Sequence, residues 1–281
     1  MSTCVEKLKC KDCGRNSRQV FYNDNRDNYT SWCFVCHEQK GDPYNGDKPS
    51  VQVHVKSPEE KLQEARELLK CKTLHKDFRG IPAKYFRSWG VKILLSEYDG
   101  KTPFALGFPY TKFGKLAGWK ARLLKKKDFF AIGDTRGADL FGLERALKVN
   151  GDTLYITEGE FDAIALDYAL VESNSKGAEK YRENMYSVVS LCDGGGSILK
   201  DLEQAWSRIC KFPRIVLVLD DDEVGIKAEI EASKFSDRIL IANKPKGCKD
   251  ANDAVKQNKI DALVRMVQYE ATRSSTGEEL W

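Results

Sequence analysis

Apolar positions in the second half of the chain fall into short β-branched runs, and helix-like spacing separates each run from the next. The predicted strands are 154–157, 188–191, 215–219 and 238–242. The predicted helices run from Glu160 to about Leu170, around 198–210, around 224–234, and onward from Asp250. Continuous apolar runs of this kind are typical of parallel strands that are buried on both faces. The pattern therefore predicts an α/β domain with a parallel sheet over 151–268.

The region before this domain, 58–150, combines helical and strand-like periodicity. Apolar residues at helical spacing and acidic residues in the first turn predict a helix that starts at Pro58. A second helix is expected after the Ile-Pro pair at 81–82, with its end at Gly90. Across 104–130, short apolar runs flank a turn-like KFGK sequence, which predicts a β-hairpin or small sheet. We therefore expect a basic α+β subdomain here.

The first 45 residues are polar, contain paired cysteines and show little helical periodicity, so 1–45 is predicted to be a small separate domain. Turn-forming residues between Gly41 and Pro58 predict a linker, which we place at 46–57. The tail over 269–281 is expected to be loosely ordered.

Composition excludes several classes of protein. The 281 residues contain 46 Lys and Arg against 42 Asp and Glu, a net charge of +4, which excludes a histone-like polybasic protein. A hydrophobic fraction of 41% suffices for one large or two modest cores. No apolar run approaches the roughly 18 residues that a membrane span needs, and the N-terminus lacks the features of a signal peptide. We therefore expect a cytoplasmic protein without a membrane partner.

Four of the nine cysteines form two CxxC pairs that stand 19 residues apart. They are Cys10, Cys13, Cys33 and Cys36. Two such turns supply four thiolates to one tetrahedral ion, which predicts a closed structural zinc site in a zinc ribbon. The alternative is a set of buried or redox-active cysteines. His37 could replace one cysteine as a ligand, although a single histidine here is more typical of a surface residue.

Aromatic and basic residues are interleaved in the cysteine-containing domain. The aromatic residues are Tyr22, Tyr29, Trp32 and Phe34, and the arginines are Arg15, Arg18 and Arg26. Stacking faces beside cations suit single-stranded nucleic acid. The alternative is that these aromatic side chains form the small core of the domain.

Acidic residues cluster directly after two of the predicted strands. They are Glu158, Glu160 and Asp162 after the first strand, and Asp220, Asp221, Asp222 and Glu223 after the third. The carboxyl ends of parallel strands meet at one edge of an open sheet, where packed carboxylates repel one another unless a divalent cation such as Mg²⁺ neutralises them. If the strand continues in extended form, Asp220 and Asp222 lie on the same side. Taken alone, each cluster could instead be a solvated face or a helix N-terminus.

Two further features lie near these strand ends. Gly194, Gly195 and Gly196 follow the second strand, where free N–H groups could receive phosphate, although glycines also form tight turns without binding anything. Residues 120–127 hold five cations and no acid, which creates a local positive field suited to phosphates. Lysines that protect a strand edge are the alternative explanation.

Three motifs together resemble the Toprim domain, which bacterial-type primases, topoisomerases, some nucleases and some recombination proteins share. The motifs are EGEFDA, SLCDGGGS and LDDDEVG, one after each of the first three strands of the predicted sheet. A zinc ribbon, a linker, a basic α+β segment and a Toprim domain follow the order of bacterial-type DNA primases. The order is most similar to the primase half of bacteriophage primase-helicases. The stretches FRGIPAKYF, GWKARLLKKKDFF, GADLFG and KDAND agree with this resemblance.

The resemblance implies a primase that makes short RNA primers from ribonucleoside triphosphates on single-stranded DNA. It assigns zinc to the four cysteines, and it assigns catalysis to Glu158, Asp220 and Asp222. It also implies catalytic Mg²⁺, for which Mn²⁺ may substitute, held by Glu158, Asp220, Asp222 and Asp250 with support from Glu160 and Asp162. Nucleotide and DNA contacts would come from Lys120, Arg122, Lys127, Gly194 and Gly195. Template recognition would come from Trp32 and Arg15.

The phage relatives continue into a helicase with a GxxxxGK[ST] loop, which these 281 residues lack. The resemblance therefore implies either a stand-alone primase that works with a replicative helicase in trans, or a fragment of a longer protein. A phage protein would act in the cytoplasm of the infected host. Two alternatives remain: a zinc-containing Toprim recombination mediator that binds DNA without catalysis, and a Toprim nuclease or topoisomerase fragment.

Overall fold

The computed structural model describes residues 2–23, 28–44, 56–96, 99–126, 128–149, 151–175 and 186–273. It divides the chain into two compact units, Met1–Ser57 and Pro58–Trp281. Most of the predicted linker at 46–57, and most of the predicted tail at 269–281, lie outside the described residues. Within the described part of the chain, no helix combines the length and the apolar character needed to cross a membrane.

The first unit is a four-stranded antiparallel sheet with the strands in chain order. The strands are β1 (Ser2–Leu8), β2 (Arg18–Asn23), β3 (Asn28–Cys33) and β4 (Gln39–Lys40). Among its described residues, the buried apolar side chains are Val20 and two of the paired cysteines, Cys10 and Cys33. So small a core supplies little hydrophobic stabilisation, so the fold depends on what holds the cysteines together.

The second unit begins with helices and an antiparallel sheet, as the sequence predicts. The helices are α1 (Pro58–Glu67), which continues as a 3₁₀ turn over Leu68–Lys70, and α2 (Ala83–Ser88). The strands, again in chain order, are β5 (Lys92–Leu95), β6 (Pro103–Lys112), β7 (Lys115–Leu123) and β8 (Phe129–Gly133). Phe113 and Gly114 form the β6–β7 turn with φ of 50° and 78°, the left-handed geometry that tight hairpins require. The predicted hairpin is therefore confirmed.

A parallel sheet follows, and its strands and helices alternate as predicted. The elements are α3 (Leu143–Ala146), β9 (Thr153–Thr157), α4 (Glu160–Ser175), β10 (Ser187–Ser190), α5 (Ile198–Ile209), β11 (Arg214–Val218), α6 (Glu223–Ser233), β12 (Ile239–Ile241), α7 (Ala251–Lys256) and α8 (Ile260–Gln268). The strand order is β10-β9-β11-β12, and every pairing is parallel. The predicted α/β class is confirmed.

Both faces of this sheet are covered, which explains the continuous apolar runs. Along β9, Leu154 and Ile156 pack into one buried cluster, whereas Tyr155 packs into the other. The two-residue side-chain period of a strand sends neighbours to opposite faces, so a strand covered on both sides must be apolar throughout.

The α+β segment and the parallel sheet share one of these buried clusters. Phe86, Trp89 and Phe108 from the first segment pack with Phe161 and Ile164 of α4. The structure separates the chain only between its two units, so the finer division at 150 stays a prediction.

Candidate active site and metal centres

The topology brings the two acidic clusters to one edge of the parallel sheet. β9 and β11 are neighbours, and Thr157 pairs with Val218 at their carboxyl ends. The residues that follow each strand, Glu158 and Asp220, therefore emerge side by side. The chain leaves β9 for β10 and returns to β11 on the other side, which creates the crevice where open α/β sheets bind ligands.

Three carboxylates from separate elements converge at this edge. Asp162 lies in the first turn of α4, Asp220 follows β11, and Asp250 caps the N-terminus of α7. One carboxylate oxygen from each lies within 4.8 Å of the other two. Hard oxygen ligands at this separation are what Mg²⁺ and Mn²⁺ prefer, so the donor set fits a divalent cation.

The mutual repulsion of these carboxylates is visible in their acidity. Burial, and then the charges of Glu158 and Asp250, raise the pKa of Asp220 to about 6 from an ordinary 3.8. Burial and the charge of Asp250 raise the pKa of Asp162 well above its usual range. Each shift means that the fold holds these groups where their ionised forms are unfavourable, and a bound cation would reverse that.

Glu158 stands beside the three carboxylates and is enclosed by the glycine loop. The backbone N–H of Asp220 donates to Glu158 Oε2 at 3.4 Å. A Cβ atom at Gly194 or Gly195 would lie 3.4 Å from a Glu158 carboxylate oxygen, and Gly194 has a φ of 79°. Glycine is therefore favoured at 194 by its backbone geometry, and the loop lies within van der Waals distance of Glu158 at both positions. Phosphate binding by these glycines stays a prediction.

Asp222 lies outside this group of three within the described residues. Its Oδ1 atom accepts hydrogen bonds from the N–H groups of Val224 at 3.0 Å and Gly225 at 2.9 Å, so it caps α6. β11 ends at Val218, so the strand does not continue to Asp222 and the expected alternation does not apply. The structure thus assigns Asp222 a capping role, and metal binding by this residue stays a prediction.

Glu160, predicted to support the metal site, is buried and paired with residues of the antiparallel sheet. Its Oε1 atom accepts from the Tyr110 hydroxyl at 2.8 Å and lies 2.9 Å from Lys120 Nζ. Lys120 also donates to the carbonyl oxygen of Cys192 at 2.9 Å. These bonds join β6 and β7 to the parallel sheet beside the glycine loop.

A cleft of about 410 Å³ opens over the carboxylates, and cations line it together with them. The acidic lining residues are Glu158, Glu160, Asp162, Asp193, Asp220 and Asp250, and the basic ones are Arg79, Lys120, Arg122 and Lys249. The Arg79 and Arg122 guanidinium carbons lie 4.6 and 4.9 Å from the centroid of the Phe161 ring. Burial, and then repulsion from Arg79, lower the pKa of Arg122. The cleft therefore combines acids and cations, of which Lys120 is paired with Glu160 and Lys249 with Asp250.

A second cavity of about 250 Å³ shares Arg79, Arg122 and Phe161 with this cleft, and Lys125 and Lys126 complete its basic lining. Lys127 lies outside the described residues. Sequence reasoning missed Arg79, although the FRGIPAKYF stretch contains it, because its position carries no local charge pattern. Only the fold brings it to the acidic edge.

The four paired cysteines form a second metal-ligating group. Their Sγ atoms all lie within 4.8 Å of one another, and the Cys10–Cys36 and Cys13–Cys33 separations are both 3.7 Å. Four converging thiols, none of them in a disulfide, fit one tetrahedral ion. His37 is exposed, stands outside this group and lies against Trp32, with ring centroids 5.9 Å apart.

Some aromatic residues of the first unit pack together as in a small core, and others are exposed as nucleic-acid binding would require. Tyr29 packs against Tyr22 and Tyr44 with centroid distances of 5.1 Å each, as expected of a small core. Phe34 is 54% exposed, and Trp32 is only half-buried. Arg15 is exposed, whereas Arg18 is buried. Template recognition by Trp32 and Arg15 stays a prediction.

Comparison with known proteins agrees with the resemblance that the sequence motifs predict. A family model described as Toprim-like matches residues 155–255. The chain is 24% identical over 263 residues to the DNA helicase/primase of Enterobacteria phage T3, covering 92% of this chain and 42% of that relative. The chain thus spans about two fifths of the length of this curated relative.

Solved structures agree with this comparison. The primase fragment of the bacteriophage T7 primase-helicase superposes with a TM-score of 0.56 at 24% identity, over 94% of this chain and 99% of that one. The Aquifex aeolicus primase, with its zinc-binding and RNA polymerase domains, gives 0.55 at 16% identity, over 96% and 80%. The predicted resemblance is confirmed: residues 155–255 are Toprim-like, and the chain has the fold of these primases.

Proposed function

We propose that the chain is a DNA primase that joins ribonucleoside triphosphates into short RNA primers on a single-stranded DNA template. One observation supports this most strongly: Asp162, Asp220 and Asp250 converge at a sheet edge, in a cleft that is also lined by cations. Nucleotidyl transfer needs that pairing, because a divalent cation must be held near a triphosphate. The similarity to primases supplies the substrate class.

Asp162, Asp220 and Asp250 would hold Mg²⁺, for which Mn²⁺ can substitute. When bound, the metal would act as a Lewis acid that stabilises negative charge on the reacting phosphate. The raised pKa values of Asp162 and Asp220 support this assignment, because burial first and neighbouring carboxylates second disfavour the ionised forms, and a cation would favour them.

In the reaction, the 3′-hydroxyl oxygen of the growing primer forms a bond to the α-phosphorus of the next ribonucleotide. The bond from that phosphorus to the bridging oxygen breaks, and pyrophosphate leaves. Glu158, which accepts a hydrogen bond from the backbone of Asp220, would accept the hydroxyl proton. Arg79 and Arg122, which line the same cleft, would bind the triphosphate oxygens of the incoming nucleotide.

The first unit would hold one structural Zn²⁺ through its four thiolates and contact the template. Its exposed Phe34, the half-buried Trp32 and the exposed Arg15 offer stacking faces and positive charge to unpaired bases. A replicative helicase acting in trans would bring the protein to its template.

The direct test incubates the protein with single-stranded DNA, labelled ribonucleotides and Mg²⁺, and resolves the products on a gel. We expect short oligoribonucleotides that disappear with chelator and in a Glu158→Gln variant. Asp221→Asn is the matched control: this exposed carboxylate lies in the same acidic run but does not line the cleft, so products should remain. Binding without synthesis on every template would favour a recombination mediator, and cleavage of the DNA would favour a nuclease. Either result would contradict the proposal.

A further inference from the structure

Asn252 contacts both an acidic and a basic residue of the cleft. It lies in the first turn of α7 and is 1% exposed. Its backbone N–H donates to Asp162 Oδ1 at 3.0 Å, and its side-chain Nδ2 donates to the carbonyl oxygen of Arg79 at 2.9 Å. One residue therefore touches a carboxylate of the acidic group, which is Asp162, Asp220 and Asp250, and the backbone of Arg79, which lines the same cleft.

The loop from Phe78 to Ile81, here called the Arg79 loop, has a strained backbone that the hydrogen bond from Asn252 supports. Arg79 has a φ of 55°, which is unfavourable for a residue with a side chain by roughly 1–2 kcal/mol, and Gly80 follows at 79°. Strained residues persist where their surroundings fix them. Here Phe78 and Ile81 exchange two backbone hydrogen bonds of 3.0 Å, and a Cβ on Gly80 would lie 3.4 Å from Val255 of α7. The loop thus rests on the helix that carries Asn252.

We propose that Asn252 is a positioning residue that fixes the Arg79 loop to the acidic group, so that the Arg79 guanidinium meets a triphosphate held there. The inference rests on the proposed function, because it takes the ligand of the cleft to be a nucleoside triphosphate. Asn252 acts through Arg79 and does not itself touch substrate.

The chemistry of the position explains why an amide stands there. The side chain must donate a hydrogen bond to the Arg79 carbonyl and must add no charge beside Asp162 and Asp250. Asparagine does both, whereas aspartate has the same shape but lacks the donor and brings another negative charge. Among the described residues, Asn252 Oδ1 has no hydrogen-bond partner, so the donor is the part of the amide that the fold uses.

A double-mutant cycle on nucleotide binding tests this link directly. Wild type, Asn252→Asp, Arg79→Ala and the double variant are titrated with a fluorescent ATP analogue in Mn²⁺, and with Mn²⁺ alone by electron paramagnetic resonance. We expect each single variant to lose about tenfold in nucleotide affinity, which corresponds to one lost charge-assisted contact. The double variant should be no weaker than Arg79→Ala, and Mn²⁺ affinity should not fall in any of the variants.

Two controls separate positioning from a general structural effect. Asn258→Asp makes the same charge change at an exposed residue just beyond α7 and should bind nucleotide as wild type does. If Asn252→Asp fails to fold by circular dichroism, Asn252→Ala removes the same donor without adding charge and replaces it in the cycle. In primer synthesis, the KM for ribonucleotides should rise while kcat changes little.

Losses that multiply in the double variant would overturn the inference, because Asn252 would then act independently of Arg79. A loss of Mn²⁺ affinity with unchanged nucleotide affinity would also overturn it, by restricting the role of Asn252 to Asp162. The cycle measures binding, so a wild-type protein that binds nucleotide but makes no RNA would contradict the primase proposal and leave this result standing.

Discussion

The two units of this protein relate to their metal-ligating residues in opposite ways. In Met1–Ser57 the ligands are much of the core: Cys10 and Cys33 are fully buried, with Val20 the other buried apolar residue among those described. In Pro58–Trp281, Asp162, Asp220 and Asp250 stand at the edge of a sheet that apolar clusters already cover on both faces. The metal of the first unit should create its fold, whereas that of the second unit should only neutralise charge that the fold already tolerates.

Loss of a cysteine ligand should therefore have the largest effect on structure. Cys33→Ser should unfold the first unit, since structural zinc contributes roughly 10–16 kcal/mol to the folding of small zinc domains. Hydrogen exchange should show lost protection in β2 and β3 and unchanged protection in β9 and β11. Cys71→Ser, outside the cysteine group, is the matched control. Retained protection of β2 and β3 in zinc-free protein would contradict the comparison.

Loss of a carboxylate of the acidic group should lower activity strongly without destabilising the fold. Asp220→Asn removes a ligand and should lower primer synthesis by about 10³-fold, as expected when metal-assisted charge stabilisation of several kcal/mol is lost. The same change removes a repelling charge, so the melting temperature of the metal-free protein should stay equal or rise. Differential scanning calorimetry beside the synthesis assay checks both effects. A lower melting temperature in chelator would show that Asp220 supports the fold.

Stability of the second unit without metal should depend on pH with a defined sign. The folded Asp220 keeps its proton up to a pKa of about 6, whereas an unfolded carboxyl loses it near 3.8. The folded state binds more protons in between, so the free energy of unfolding should fall as pH rises from about 4 to 6 and stay low above that.

Urea unfolding in chelator at pH 5 and pH 7.5 measures this fall, which should be smaller in Asp220→Asn. Saturating Mg²⁺ should restore stability at pH 7.5. Burial also raises the pKa of Asp201 and Glu229, which lie outside the acidic group, so part of the fall should remain in the variant. An identical fall in the free energy of unfolding of both proteins would show that Asp220 does not cause this pH dependence.

A smaller effect should come from the buried arginine beside the cysteines. Arg18 donates to Cys10 Sγ at 3.3 Å, Asp12 at 2.9 Å and Ser31 at 3.1 Å, so its charge offsets that of the thiolates. Arg18→Met should raise the rate of zinc transfer to a chelating dye about tenfold, and Arg18→Lys should do so less, in line with the effect of losing an outer-shell partner. Arg15→Met, an exposed charge change in the same unit, should leave the rate unchanged. Equal rates of zinc transfer for Arg18→Met and wild type would show that Arg18 does not help to retain the metal.

Much of this architecture follows from local sequence patterns. The apolar runs predicted β9 to β12 because burial on both faces leaves no polar positions, and the CxxC spacing predicted the sulfur group because two knuckles form locally. The acidic edge was predictable for Glu158 and Asp220 because β9 and β11 end there. The condition under which Asp220 and Asp222 would lie on the same side is not met, because β11 ends at Val218 and the chain turns to start α6.

The contacts that join distant segments could not be predicted in this way. Asn252 and Arg79 are 173 residues apart, and their hydrogen bond depends on how α7 packs against the Arg79 loop. Similarly, Glu160 stands in an acidic motif, yet its partners Tyr110 and Lys120 come from another sheet. The sequence pattern indicates which residues can bind metal or phosphate, whereas tertiary packing determines which distant residues contact one another.

We expect the two chemically different groups to hold two different metals for two different purposes. Anomalous diffraction from crystals grown with zinc and soaked in Mn²⁺, recorded at both absorption edges, would locate each metal. We predict one zinc peak among the sulfur atoms of Cys10, Cys13, Cys33 and Cys36, and a manganese peak among the carboxylates of Asp162, Asp220 and Asp250. Manganese bound elsewhere in the chain, with none at these three carboxylates, would contradict the account.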